Sequence, residues 1–350
     1  KVEKSKPQLQ HNIHLLDWIF LRQEGVVVKM SPQQEAIIES FLSFKKLNKI
    51  SLPKKMSKTA RTYQKDGLNW MSFLYEHKLG GVLADDMGLG KTFQSILLLA
   101  KIKENNPKNK KTLPHLIVVP SSLVFNWGQE FERFYPNLNV SLYIGLNREF
   151  NTDSEVIITS YELLRRDTTL FSAKKFDIII FDEAQFLKNP NSARTQVASQ
   201  IKRNACFCLT GTPMENHIGE YISILNIVLP GLIKNKSKQA LLDTKSQIIN
   251  FIIKRSKPFI LRRLKSQISH ELLPKSEETI TFTFSDKQRN MYDALITSAK
   301  EQLNNKQKDS KFKLIMLTTL LRLRQICISP YLLDDNYQEL TPKFDFLKEK

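Results

Sequence analysis

The sequence predicts an α/β protein: a parallel sheet flanked by helices, followed by a mostly helical C-terminal extension. Three observations carry this. Five short apolar runs, GGVLA (80–84), HLIVV (115–119), EVIITS (155–160), FDIIIF (176–181) and ACFCLT (205–210), are nearly continuous, the pattern of strands buried on both faces. Helix-length segments separate them, which implies right-handed βαβ crossovers. Beyond residue 216 the spacing turns helical: Ile218, Tyr221, Ile222, Leu225, Val228 and Leu229 recur on one face before Pro230-Gly231 ends the element. Ligands on such sheets collect where strands end and helices begin, so the residues just after each run are where chemistry is expected.

Taken in order, residues 1–58 read as an accessory region with its own strand and helix. Ser31 is placed to cap that helix, with Pro32 in its first turn, Gln34 at the capping-box position, and Ile37, Ile38, Phe41 and Leu42 as its apolar stripe. The basic, Pro-containing stretch KISLPKKMSKTA connects it to the first strand region. Near the other end, Ser285 and Gln288 form a second capping box ahead of Met291, Leu295 and Ala299. A further helix carries Phe312, Ile315, Met316, Leu320 and Leu323. The Lys/Asn-rich pieces KENNPKNKKT and LNNKQKDSK read as solvated loops, and no internal repeat is present.

The 350 residues leave room for about two domains with their own cores. Lys and Arg total 53 against 35 Asp and Glu, a net charge of +18 that points to a polyanionic partner without choosing between nucleic acid and an acidic membrane. With 41% hydrophobic residues, 11 Gly and 14 Pro, the chain is neither collagen-like nor wholly disordered. Three cysteines, two in Cys206-x-Cys208, match neither a disulfide framework nor CxxC zinc spacing, which suits a reducing compartment. The longest aliphatic runs fall far short of the ~20 residues of a membrane span, and the basic start KVEKSKPQLQ leads into no secretory h-region. The absence of an initiator Met reads as a fragment.

Three strand edges carry chemistry. After the first run comes DDMGLGKT (85–92), where Gly88 and Gly90 let backbone amides turn toward phosphate oxygens at a helix N-terminus. Lys91 is expected to reach the β/γ-phosphates of ATP and Thr92 its Mg²⁺; Asp85 stands where the strict phosphate-loop pattern has Gly. The fourth run ends in Asp182 and Glu183, adjacent carboxylates that a magnesium-nucleotide compensates: Asp182 on the metal side, Glu183 to orient or deprotonate the attacking water. Solvated carboxylates opening a helix would look the same in isolation. The fifth run ends LTGTPMEN, where the hydroxyls of Thr210 and Thr212 around Gly211 could relay hydrogen bonds from a magnesium-nucleotide; in isolation a plain Gly-Thr-Pro turn is the favoured reading.

In order, RTYQKDGLNW, DDMGLGKT, VVPSSLVFNWGQEF, DEAQFLKN, LTGTPMEN, PFILRRLK, LPK and LLRLRQICISP closely resemble the blocks of the Swi/Snf-type ATPases, a branch of helicase superfamily two, from about Thr59 to Leu347. Composition, Asp86 and the DEAQ form look more like bacterial members than eukaryotic remodellers. The resemblance implies two RecA-like lobes with ATP in the cleft and movement along double-stranded DNA without strand separation. The implied division is an accessory region at 1–58, a RecA-like ATP-binding lobe at 59–233, a helical protrusion and interlobe linker at 234–335, and the start of a truncated second lobe at 336–350.

By position, Gln64 resembles the glutamine that reads adenine, and Gln185, in place of the usual His, couples nucleotide state to DNA grip with Thr210 and Thr212. Ser122 is expected to cap its helix and meet a DNA phosphate. Thr159, Ser160, Lys188 and Asn189 look like further backbone contacts, although each also suits a cap or a solvated position. In KRSKPFILRRLK, Arg262 and Arg263 suit DNA binding and acidic intramolecular contacts equally. The arginines that complete the ATP site from the second lobe are absent here, and such a residue is worth about 10³ to 10⁵ in rate, so the chain is expected to bind ATP but hydrolyse it poorly.

The implied partners are double-stranded DNA and a DNA-bound protein complex, with no membrane. The expected location is the cytoplasm with the nucleoid in a bacterium, or the nucleus in a eukaryote. Two alternatives stay open: an RNA-directed superfamily-two ATPase, and a non-hydrolysing DNA-binding or docking module.

Overall fold

The computed structural model describes residues 19–20, 22, 25, 31–43, 50–53, 56–106, 112–211, 218–232, 245–271, 278–304 and 310–349. Two compact units divide the chain, Lys1–Leu273 and Pro274–Lys350. Thr212 and the expected strand of the accessory region lie outside the described residues.

The first unit is built on a seven-stranded sheet: β1 (Gly81–Leu83), β2 (His115–Val119), β3 (Val140–Tyr143), β4 (Val156–Ser160), β5 (Lys175–Phe181), β6 (Lys202–Leu209) and β7 (Ile260–Leu261). Their order is β3-β4-β2-β5-β6-β1-β7 and every pairing is parallel. Val118 lies between Thr159 and Phe181, and Val82 between Cys208 and Ile260. Because all strands run one way, the residues that follow β1, β5 and β6 share one edge of the sheet, with β6 between the other two.

The five apolar runs are all strands, and β1, β2 and β4 are buried throughout. Two strands were not visible in the sequence. β3 is a half-buried edge strand whose residues VSLY lack a continuous apolar run, and β7 has two residues.

Helices fill both sides of this sheet. Helix Lys91–Asn105 buries Ile96, Leu97, Leu98, Leu99 and Ala100 completely, the signature of a helix enclosed on all sides over that stretch. Helix Thr62–Glu76 buries Leu68, Trp70, Met71 and Leu74; Trp70 meets Phe207 edge-on at 6.4 Å and donates its indole N–H to the Pro258 carbonyl at 3.2 Å. Helix Ile218–Val228 ends at the Pro230-Gly231 turn, with Gly231 at a φ of 92°. In the accessory region the helix Pro32–Ser43 forms and buries Ile38.

The second unit holds helices Asp286–Asn304, Ser310–Ile328 and Pro342–Glu349. Ser285 Oγ caps the first by accepting from Gln288 N at 3.3 Å. The reciprocal half of the expected capping box is replaced by a tertiary contact: the Gln288 amide donates instead to the Ile326 carbonyl at 2.7 Å, tying the first helix to the second. Of the expected stripe on Ser310–Ile328, Phe312, Ile315 and Leu323 are half-buried while Met316 and Leu320 are exposed.

Candidate functional site

The loop after β1 turns as the glycines predict. Gly88 and Gly90 take φ values of 84° and 72°, and left-handed Gly90 is the N-cap of helix Lys91–Asn105. Lys91 folds back over this loop, its ammonium donating to the carbonyls of Asp85 at 2.8 Å and Asp86 at 3.4 Å. Two of its three donors are so used. Burial pushes the Lys91 pKa down, and Glu183, Asp182, Asp85 and Asp86 oppose that shift by their charge, so the carboxylates at the end of β5 act on the same ammonium. Thr92 is half-buried in the first turn of the helix.

Asp182 and Glu183 follow β5. Asp182 is 7% exposed, and burial raises its carboxyl pKa against two hydrogen bonds that lower it. Those bonds come from the Trp127 indole to Oδ2 at 2.8 Å and the Glu183 amide to Oδ1 at 2.9 Å. Among the described residues no basic side chain lies within ion-pair distance of Asp182. Glu183 has a φ of 48°, left-handed backbone that a residue other than Gly rarely adopts. A buried carboxylate with no ion-pair partner among the described residues, near the Lys91 ammonium and a loop turned by two glycines, fits a magnesium-bound phosphate ester in chemistry and in charge.

Gln64 reaches the same loop. Its amide nitrogen lies 3.4 Å from the Leu89 carbonyl, and its Oε1 accepts from the Arg61 amide at 3.0 Å. A Cβ at position 90 would sit 2.6 Å from Gln64 Nε2, and the left-handed φ of 72° there favours Gly. After β6, Thr210 is fully buried and donates to Gln185 Oε1 at 3.4 Å, which joins two of the three expected coupling residues across β5 and β6.

The expected nucleic-acid contacts divide. Ser122 is exposed, but the turn Ser121–Leu123 intervenes and Leu123, without a side-chain cap bond, is the N-cap of helix Val124–Phe134; the expected cap at Ser122 is not made. Thr159 and Ser160 point inward. Thr159 is fully buried and donates to the Tyr143 carbonyl at 3.1 Å, while Ser160, 3% exposed, caps helix Tyr161–Arg166 by accepting from Leu163 N at 3.2 Å. Their hydroxyls serve the fold and are not presented to a DNA backbone.

Lys188 is buried, with its ammonium 3.6 Å from Glu220. Asn189 is exposed and its side chain accepts from Asn191 N at 2.9 Å, a local turn. Arg262 is exposed. Arg263 is engaged inside the protein: it pairs with Asp85, donates to Gln94 Oε1 at 2.8 Å and to the Tyr63 carbonyl, and lies over the Tyr63 ring at 5.2 Å. Of the two readings of Arg263, the acidic intramolecular contact is the one this fold makes.

Three features were not legible in the sequence: the Trp127–Asp182 contact, the Asp85–Arg263 pair, and Lys265, whose ammonium lies 3.5 Å from the position a Gly88 Cβ would take. In the last case, the signal was the basic run itself. Its segment runs alongside β1 and the phosphate loop: Leu261 O accepts from Ala84 N at 2.7 Å, Arg263 O from Asp86 N at 3.0 Å, and Asp86 Oδ2 from Lys265 N at 2.9 Å.

A family model described as the SNF2-related domain matches residues 63–332. The chain belongs to this SNF2-related family. Among curated proteins it is similar to an uncharacterized ATP-dependent helicase of Mycoplasma pneumoniae, 36% identical over 289 residues. It is also similar to the human SWI/SNF-related matrix-associated actin-dependent regulator of chromatin subfamily A member 1, 34% identical over 291 residues. These alignments cover 80% and 78% of this chain but 28% and 27% of those proteins. The chain therefore spans less than a third of the length of either SNF2 relative.

Among solved structures, the Sulfolobus solfataricus SWI2/SNF2 ATPase core in complex with dsDNA matches with a TM-score of 0.57 at 31% identity, over 80% of this chain and 60% of that one. The core domain without DNA matches at 0.54 and 30%, over 83% and 60%. The parallel sheet is thus the RecA-like sheet of an SNF2 ATPase core.

Proposed function

We propose that this chain is the ATP-binding part of an SNF2-type motor that moves along double-stranded DNA without separating its strands. The observation that carries the reading is the convergence of Lys91 with the Asp182-Glu183 pair: one ammonium, held on backbone carbonyls and acted on by carboxylates from another strand. Lys91 binds the β/γ-phosphates, the amides around Gly88 and Gly90 cradle them, and Gln64 holds the adenine edge. Thr92 and Asp182 are the residues that would hold Mg²⁺, which supplies neutralisation of phosphate charge. Glu183 orients the attacking water and takes its proton. The Gln185–Thr210 contact relays the nucleotide state, together with Thr212. The DNA backbone meets the exposed Ser122 and Arg262, with a DNA-bound protein as the object being moved.

An arginine presented from a second lobe is worth about 10³ to 10⁵ in phosphoryl-transfer rate, so the 350 residues alone bind ATP and turn it over slowly. The test is the ATPase rate of the chain joined to a second RecA-like lobe, without nucleic acid, with duplex DNA and with single-stranded RNA, each across a salt series. Stimulation by duplex DNA that fades steeply with salt is the expected result. Preference for RNA replaces the DNA motor with an RNA-directed ATPase, and stimulation by neither removes the motor assignment.

A further inference from the structure

We propose that Trp127 is a positioning residue for the magnesium-side carboxylate, its indole N–H fixing Asp182 and tying it to the helix that begins beside Ser122. The inference rests on the ATP-site reading above. Trp127 is 1% exposed and Asp182 7% exposed, and the indole nitrogen lies 2.8 Å from Asp182 Oδ2. A buried indole N–H requires an acceptor, and a carboxylate makes the bond charge-assisted. Here the acceptor is a carboxylate whose other oxygen is held by the Glu183 amide at 2.9 Å, so both oxygens carry one fixed N–H and keep lone pairs for another partner.

A second aromatic grips the same residue. Tyr161, 1% exposed and stacked between Phe181 and Phe186 at 6.2 and 5.3 Å, donates its hydroxyl to the Asp182 carbonyl at 2.7 Å. Trp127 stands one turn into the helix that follows β2, and Tyr161 opens the helix that follows β4. Both strand ends lie on the edge that carries the phosphate loop. Trp127 thus holds the carboxylate and Tyr161 the backbone carbonyl of the same residue, from separate helices, and outer partners of this kind set metal affinity.

The test is titration of the chain with a fluorescent ATP analogue, mant-ATP, in EDTA and across a magnesium series. Two variants are compared with the wild type: Trp127→Phe, and Trp127 replaced by benzothienylalanine, which exchanges the N–H for sulfur while keeping the ring shape. The expected result is wild-type affinity in EDTA for the benzothienyl protein, with the magnesium concentration for half the gain raised about tenfold. Trp127→Phe is expected to show the same magnesium shift. An unchanged magnesium dependence in the benzothienyl protein overturns the inference. So does a loss of binding in EDTA in both variants, which would make Trp127 a packing residue only. A wild type with no magnesium-dependent binding removes the ATP-site reading itself, a failure distinct from these.

Discussion

Arg263 and Asp85, 178 residues apart in sequence, form a buried ion pair directly under the phosphate loop: Arg263 Nε donates to Asp85 Oδ1 at 2.9 Å and Nη2 to Oδ2. Asp85 is fully buried and also accepts from the Gln94 amide at 3.2 Å. The residue that departs from the strict phosphate-loop pattern is therefore an anchor for the returning basic segment and not a member of the cradle. Removing one partner leaves the other buried and unpaired. Arg263→Met is expected to cost about 3–5 kcal/mol in urea unfolding, and Asp85→Leu/Arg263→Met to recover much of that loss. A single variant within about 0.5 kcal/mol of wild type contradicts the pair's structural role.

Gly67 supplies a sharper test of the same network. It lies within helix Thr62–Glu76, where Ala ordinarily stabilises by up to about 1 kcal/mol. A Cβ there would sit 1.9 Å from Gln94 Oε1 and 3.1 Å from Arg263 Nη2. Gly67→Ala is expected to destabilise by about 1–3 kcal/mol net, as overpacking does. A thermal midpoint at or above wild type would show that the network yields freely.

Much of this was readable beforehand, for a physical reason. Strands buried on both faces must be apolar along their whole length, so β1, β2, β4, β5 and β6 announced themselves, and the chemistry sat at their ends. β3 and β7 were not readable because a four-residue, half-buried edge and a two-residue edge leave no such trace. Polar residues at strand ends were harder still: Thr159 and Ser160 resemble ligands in sequence, and only the positions of the Tyr143 carbonyl and Leu163 amide show that the fold uses them. The partners of Trp127 and Arg263 come from strands far away in sequence, which no local pattern encodes.

Variants at Glu183 and Lys91 are expected to separate binding from hydrolysis. With the second lobe present, Glu183→Gln is expected to retain nucleotide binding and to lower turnover by about 10² to 10⁴. Lys91→Ala is expected to lose both. Equal turnover in Glu183→Gln and wild type, measured by phosphate release, would remove Glu183 from the water-activating role.

His115 is expected to make a pH-dependent contribution to stability from outside this site. Burial lowers its pKa below the ordinary 6.5, outweighing the opposing charges of Asp177 and Glu155; Asp177 Oδ2 is 3.9 Å from Nδ1, and the same carboxylate accepts from Tyr75 at 2.7 Å. The unfolded chain then takes up a proton that the folded one resists, so the contribution of His115 is fully present above pH 6.5 and falls as pH drops from 6.5 toward the lowered folded value. His115→Gln is expected to flatten the fall in thermal midpoint between about pH 7.5 and about pH 5.5. An identical fall in variant and wild type assigns the acid sensitivity to other groups.

We propose above that Lys91 and the end of β5 form an ATP site. It is tested most directly by mant-ATP titration of the 350-residue chain, with magnesium and with EDTA, beside Lys91→Ala. Saturable binding that magnesium strengthens and Lys91→Ala abolishes, with the thermal midpoint without nucleotide kept, is the expected result. Binding that persists unchanged in a folded Lys91→Ala protein, or no binding by the wild type at all, would contradict it.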